Sequence, residues 1–127
     1  MKIILKLTYL LVLLLATSCS NNVETPLMSN ALPPIFPDYI GVTIPAEIAP
    51  MNFDIAQGVD YQRVDVVIKG GKRGELHVNA KRVNFPIKQW RKLLRENLGD
   101  SLQITVSIKQ GDDWKQSPRL AYRTYCN

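Results

Sequence analysis

"SLQITVSIKQGDDW", residues 101–114, decides the fold class. Leu102, Ile104, Val106 and Ile108 alternate with Gln103, Thr105, Ser107 and Lys109, a period of two that suits an extended strand with one buried face. "QGDDW" turns the chain, and "RLAYRTY", 119–125, reads as a returning strand with Leu120, Tyr122 and Thr124 on one face. Further upstream, "RVDVVIK", 63–69, sets Val64, Val66 and Ile68 against Asp65 and Lys69, with Val67 between these two. "GGKRG", 70–74, is a turn, after which "ELHV" and "KRVNF" are expected to flank Asn79 and Ala80 as a hairpin. "IFPDYIGVTIP", 35–45, and "IAPMNFDI", 48–55, are short β-prone runs broken by Pro37, Pro45 and Pro50, as edge strands are.

One helix interrupts the strands. In "FPIKQWRKLLRENLG", 85–99, Pro86 suits the first turn and Gly99 the stop. Ile87, Trp90, Leu94 and Leu98, widened by Leu93, form an apolar stripe to cover one end or edge of the sheet, and Trp90 is assigned to the core. Lys88, Arg91, Lys92 and Arg95 occupy the opposite side. The expected fold is mainly β, an immunoglobulin-like sandwich or a small barrel, with one amphipathic helix.

The amino terminus has another character. Lys2 and Lys6 precede an apolar run from Leu7 to Ala16, the charged and hydrophobic regions of a secretory signal, and the run is too short to span a bilayer. Ala16, Thr17 and Ser18 supply small residues directly before Cys19. This arrangement resembles a bacterial lipobox, with Ala16 where Leu is commoner. The resemblance implies cleavage before Cys19, a covalent lipid on its sulfur and acylation of the new amino group. The alternative is an ordinary secretory signal with an incidental cysteine. Attachment through Cys19 makes the membrane the first partner and the cell envelope the location. Ser20, in place of an Asp associated with inner-membrane retention, favours the outer membrane.

Three regions follow: a lipoprotein signal peptide at 1–18, a polar, proline-bearing flexible tether at 19–34, and a β-sandwich-like domain at 35–127. Loss of Lys2 and Lys6 with the signal leaves 14 basic and 11 acidic residues, a net of +3. That balance and an exported location argue against nucleic acid as a partner. With Cys19 lipidated, Cys126 has no partner in the chain, so a core and not a disulfide framework must hold the fold.

"PPIFPDYIGVTIPAEIAPMNF", "GELHVNAKRVNFPIKQWRKLL" and "ITVSIKQGDDW" together resemble the amino-terminal domain of Gram-negative envelope lipoproteins that carry a TolB-like β-propeller, some of them labelled as cytochrome c biogenesis proteins. The resemblance covers nearly all of the mature chain and includes no catalytic motif. The chain stops at Asn127, before any propeller, so functions of that propeller do not carry over. "RLAYRTYCN" is accordingly expected to leave Tyr122, Tyr125 and Cys126 on an uncovered edge.

Residues suited to chemistry are sparse. His77, the single histidine, alternates with Leu76 and Val78 and belongs on the solvent side of a strand. No metal ligand set and no cofactor other than the lipid on Cys19 is expected. "GGKRG" is a turn sooner than a phosphate cradle, and Asp112 and Asp113 are turn residues sooner than an acid pair. The chain is expected not to be an enzyme. The basic face Lys88, Arg91, Lys92 and Arg95 admits two readings, a solvated face or a surface for anionic headgroups and lipopolysaccharide phosphates. Trp114 likewise could pack on the sheet or stack on a sugar ring. The function expected is a membrane-anchored, non-catalytic envelope lipoprotein module that docks a protein partner or its own propeller. A surface glycan-binding module is the alternative.

Overall fold

The computed structural model describes residues 1–15, 22, 23 and 25–124. Its elements in chain order are α1 (Lys2–Leu15), β1 (Leu27–Met28), β2 (Ile35–Phe36), β3 (Thr43–Ile44), β4 (Asp54–Ile55), β5 (Arg63–Gly70), β6 (Glu75–Ala80), α2 (Ile87–Glu96), β7 (Ser101–Gln110), β8 (Asp113–Gln116) and β9 (Leu120–Thr124). The fold is mainly β and its sheets are not closed, so the sandwich-like architecture forms and the barrel does not. No described helix is long and apolar enough to cross a membrane.

β7 organises the main sheet. Along one edge it pairs antiparallel with β5 from Arg63↔Lys109 to Gly70↔Leu102, and β5 pairs in turn with β6. Along the other edge β7 meets β8, from Gln110↔Asp113 to Ser107↔Gln116, and then β9, from Ile104↔Leu120 to Ser101↔Arg123. The turn into β8 is made by Gly111 at φ 66° and Asp112; glycine first in a two-residue hairpin loop supplies the positive φ without a Cβ clash.

The two registers on that edge are out of step. Between them, Thr105 and Val106 of β7 face three residues, Ser117, Pro118 and Arg119, although the Ser117 N–H still donates to the Val106 carbonyl at 3.0 Å. The extra residue is a bulge, and it suits Pro118, which has no N–H to contribute to a ladder. Side chains alternate with period two, so one added residue exchanges faces. Leu120 and Tyr122 therefore share a face with Leu102 and Ile104, while Trp114 joins Lys109 on the other.

One face of the sheet carries the core. Val64, Val66, Ile68, Leu76, Leu102, Ile104, Val106, Leu120 and Tyr122 are buried there with Trp90, Leu93 and Leu94 of α2, which lies against β5 and β6. The Trp90 indole N–H donates to the Ile48 carbonyl at 3.0 Å, so its large ring is buried without orphaning its donor. Phe85 stacks on Trp90 with ring centres 5.5 Å apart, and Phe53 meets Phe85 edge-on at 6.1 Å. β2 and β4 form a separate ribbon whose Ile35 and Ile55 turn into the same core. Ile87 departs from the expected stripe: at the first turn of α2 it is 48% exposed.

Several expectations change. The 81–85 run does not pair back on 75–78. β6 runs straight through Asn79 and Ala80, because its ladder with β5 extends to Val64↔Ala80, and Val83 makes only a bridge to Phe53. The stretch read as tether is partly attached: Leu27 and Met28 pair parallel with Lys115 and Gln116, Pro33 is buried, and Pro34 accepts from the Ala56 N–H at 2.8 Å. β9 is not left as an open edge, since β3 pairs alongside it through Thr43↔Arg123 and Ile44↔Thr124, and Tyr122 is buried. Tyr125 and Cys126 lie outside the described residues.

Two measurements check this arrangement. Deleting Pro118 makes the β8–β9 register continuous and turns either Trp114 or the Leu120–Tyr122 pair to the wrong face. Since burying one large apolar side chain contributes about 1.5–3 kcal/mol, the deletion is expected to abolish a cooperative thermal transition followed by circular dichroism. A variant melting with its parent contradicts the bulge. Tyr122 offers the second. Its buried hydroxyl has no hydrogen-bond partner among the described residues, and burial, aided by Tyr39, raises its pKa above the ordinary value of 10.0. The folded chain holds this proton to higher pH than the unfolded chain. The contribution is thus complete below about pH 10 and is lost as pH rises through the folded value. Tyr122→Phe should remove that alkaline loss and stabilise by about 1 kcal/mol at neutral pH in urea unfolding.

Candidate functional site

The basic face of α2 is fixed by the residues behind it. Trp90, Leu93 and Leu94 hold the helix to the sheet, so Lys88, Arg91, Lys92 and Arg95 are all turned outward and exposed. Their side chains make no hydrogen bond or ion pair with any described residue. The cluster is unfavourable for the isolated helix. Like charges three and four apart repel by about 0.2–0.5 kcal/mol per pair. The first turn has no acidic residue to answer the positive helix end. Only Arg95, in the last turn, agrees with the dipole.

The loop between β5 and β6 is not a phosphate cradle, and Asn97 shows why. The Asn97 Oδ1 accepts from the consecutive backbone N–H groups of Lys72 and Arg73 at 2.9 and 3.2 Å, taking the place an anion would take in such a nest. Its Nδ2 donates to the carbonyls of Arg73 and Leu93, both at 2.8 Å, and the residue is fully buried. Gly70 is required here, because a Cβ would lie 2.1 Å from the Arg73 carbonyl oxygen and 2.2 Å from the Asn97 amide. Lys72 closes the seam by donating its Nζ to the Leu98 carbonyl at 2.6 Å. On the far side of Asn97, the Thr124 hydroxyl sits 2.5 Å from the Asn97 carbonyl oxygen and 2.8 Å from that of Asp100.

The polar face of the main sheet holds a second network. Asp65 is buried, and its Oδ1 accepts from Asn79 Nδ2 at 3.0 Å and lies 2.5 Å from His77 Nε2. Arg63 completes it, donating Nε to Asn79 Oδ1 at 2.8 Å and a terminal nitrogen to the Asn79 carbonyl at 3.0 Å. His77 is half-exposed, as its alternation implies, but it is tied to a carboxylate that the sequence did not single out. Among the described residues no hydroxyl or thiol bonds to the imidazole. The network satisfies a buried carboxylate that would otherwise be costly. Among the described residues there is no group of three or more His, Cys, Asp or Glu able to hold a metal.

Trp114 is placed by the bulge and is only 5% exposed, leaving no free ring face for a sugar. Asp112 lies in the hairpin turn, and Asp113 begins β8. Cys19 lies outside the described residues.

A groove of about 830 Å³ was not foreseen. It lies beside the β2–β4 ribbon and is lined by Phe36, Asp54, Gln57, Tyr61, Lys81 and Arg82 among others. A smaller hollow of about 220 Å³ shares Phe36, Asp54 and Arg82 with it. Arg82 grips Asp54 as a fork, Nε to Oδ1 at 3.3 Å and Nη2 to Oδ2 at 3.1 Å, and this hydrogen bonding raises the guanidinium pKa further. The signal available in the sequence was "NAKRVNF": two cations directly after a strand and close to "NFDI" only once the strands have folded.

Comparison with family models, curated proteins and solved structures finds no match for this chain.

Asn97→Ala leaves the Lys72 and Arg73 N–H groups and two carbonyls without their partner. The Leu93 contact is buried and the others part-buried, so at about 1–3 kcal/mol for a buried group left unsatisfied the variant should lose about 2–3 kcal/mol in urea unfolding. An unchanged midpoint contradicts the role given to Asn97.

Proposed function

We propose that the chain is a membrane-anchored, non-catalytic envelope lipoprotein module that docks a protein partner, with Cys19 carrying the lipid and the outer membrane as its location. The reading is supported at the amino terminus by the basic start, the apolar run and the small residues before Cys19. Two acyl chains or more give stable attachment, because each buried CH₂ contributes about 0.8 kcal/mol. Leu27 and Met28 pair with Lys115 and Gln116, so the domain has begun by Leu27, eight residues after Cys19. Eight residues reach at most about 30 Å even fully extended, which keeps the domain within that distance of its anchor.

The observation that carries the reading is the basic face of α2. A helix that places Lys88, Arg91, Lys92 and Arg95 together without a partner among the described residues, with Lys88 in its first turn against the dipole, gives up local stability for surface charge. At so short a distance from the bilayer, that charge suits anionic headgroups or lipopolysaccharide phosphates. The partner docked on the remaining surface is a protein. The resemblance to propeller lipoproteins makes a TolB-like propeller its expected form, and β6, paired only with β5 among the described strands, offers it a sheet edge.

Cys19→Ala is expected to leave an unprocessed precursor or a soluble product, read by fractionation after an alkaline carbonate wash. A variant that stays fully membrane-bound with unchanged mobility would falsify the anchor. For the helix, the full chain in mild detergent should be captured by anionic vesicles and released as salt rises, because exposed charges are screened within about 10 Å at 0.1 M. Reversing Lys88, Arg91, Lys92 and Arg95 to Glu should abolish capture. Unchanged capture with an unchanged melting temperature reduces the face to a solubilising one.

A further inference from the structure

We infer that the groove beside the β2–β4 ribbon is a binding site for an acidic saccharide, a uronic-acid-bearing glycan or one of like chemistry. The inference stands on the groove alone and does not depend on the lipid anchor.

The ribbon sets the site's aromatic wall. The pairings Ile35↔Ile55 and Phe36↔Asp54 place the two isoleucines on the core side and the phenylalanine and aspartate on the other. Phe36 is consequently 70% exposed, and its ring stands beside the Asp54–Arg82 fork, where both hollows meet. An exposed phenylalanine on a groove rim forgoes the stabilisation of burial, and a flat aromatic face is what the apolar C–H face of a pyranose ring stacks upon. Tyr61 lines the same groove.

Its polar groups suit a saccharide as well. Adjacent sugar hydroxyls both donate and accept, and a bidentate carboxylate–guanidinium pair presents acceptors and donors at a matching separation. Asp54 and Arg82 hold each other in that geometry before any ligand arrives. The side chains of Gln57, Tyr61 and Lys81 make no hydrogen bond to a described residue and remain available to a ligand. The volume, about 830 Å³, falls in the range of small-molecule sites.

Charge selects the acidic class. Asp54 is engaged by Arg82, whereas the Lys81 ammonium has no anionic partner among the described residues. The lining therefore carries one positive charge in excess of neutrality, and a sugar carboxylate supplies the missing anion. This site replaces Trp114, whose burial removes it from any glycan contact.

The test is calorimetric titration of the full chain in mild detergent with tetragalacturonate, neutral galactotetraose and tetraglutamate. Saturable binding of tetragalacturonate is expected, with the neutral tetramer about fivefold weaker, the most that one exposed ion pair provides. Lys81→Ala should erase that preference while neutral binding persists. Phe36→Ala should abolish binding of both sugars at an unchanged melting temperature, since both side chains are exposed. Equal affinity for the acidic and neutral tetramers overturns the acidic class. Tetraglutamate binding as tightly as tetragalacturonate makes the groove a site for acidic peptides and overturns the saccharide. No heat from either sugar, or full binding by Phe36→Ala, overturns the site.

Discussion

The structure depends on β7 being paired along both edges, in one register with β5 and in two registers with β8 and β9. A strand paired on both sides has its main-chain groups satisfied in the ladder, which permits the even-numbered residues of β7 to form a dry face. The other face can then be polar without harm to the core. It carries the Asp65–Asn79–Arg63 network and half-exposed His77, while α2 and the ribbon close the apolar side. The bulge at Ser117–Arg119 lets one returning strand serve both faces, Trp114 on one and Tyr122 on the other.

Asn97 ties the ends of these elements together. One carboxamide joins the end of α2 to the β5–β6 loop, and its main chain meets Thr124 at the end of β9. Three segments distant in sequence thus meet at one buried residue, which fixes how α2 sits on the sheet and so which way its lysines and arginines point. The basic face is held by this junction as much as by Trp90.

What the sequence made legible follows the range of the interactions. Alternation in 63–69 and 101–109, the hairpin at Gly111 and the amphipathic helix are local patterns, and all appear as expected. The mainly β class followed from them. The misread hairpin at Asn79 had a local signal too, but pairing of β6 with β5 as far as Ala80 outweighed a weak turn. The docking of 27–34 and the cover of β9 by β3 are non-local pairings of two-residue strands, too short to announce themselves. The basic face was visible because it lies on one helix. The groove was not, because Phe36, Asp54 and Arg82 come together only when the ribbon meets the turn after β6. His77 was placed on the right side of its strand, but its partner Asp65 was assigned only a solvent face.

Where the domain sits decides what its surfaces can meet. A basic helix face close to a bilayer is a contact surface, and the same face on a freely diffusing chain is a solvated one. Everything proposed for α2 therefore turns on Cys19. The most direct measurement is mass spectrometry of the amino-terminal peptide of the chain isolated from cell membranes. The account predicts a peptide that begins at Cys19 and carries the added mass of its acyl groups. A peptide that begins at Met1, or one in which Cys19 is a free thiol, contradicts it.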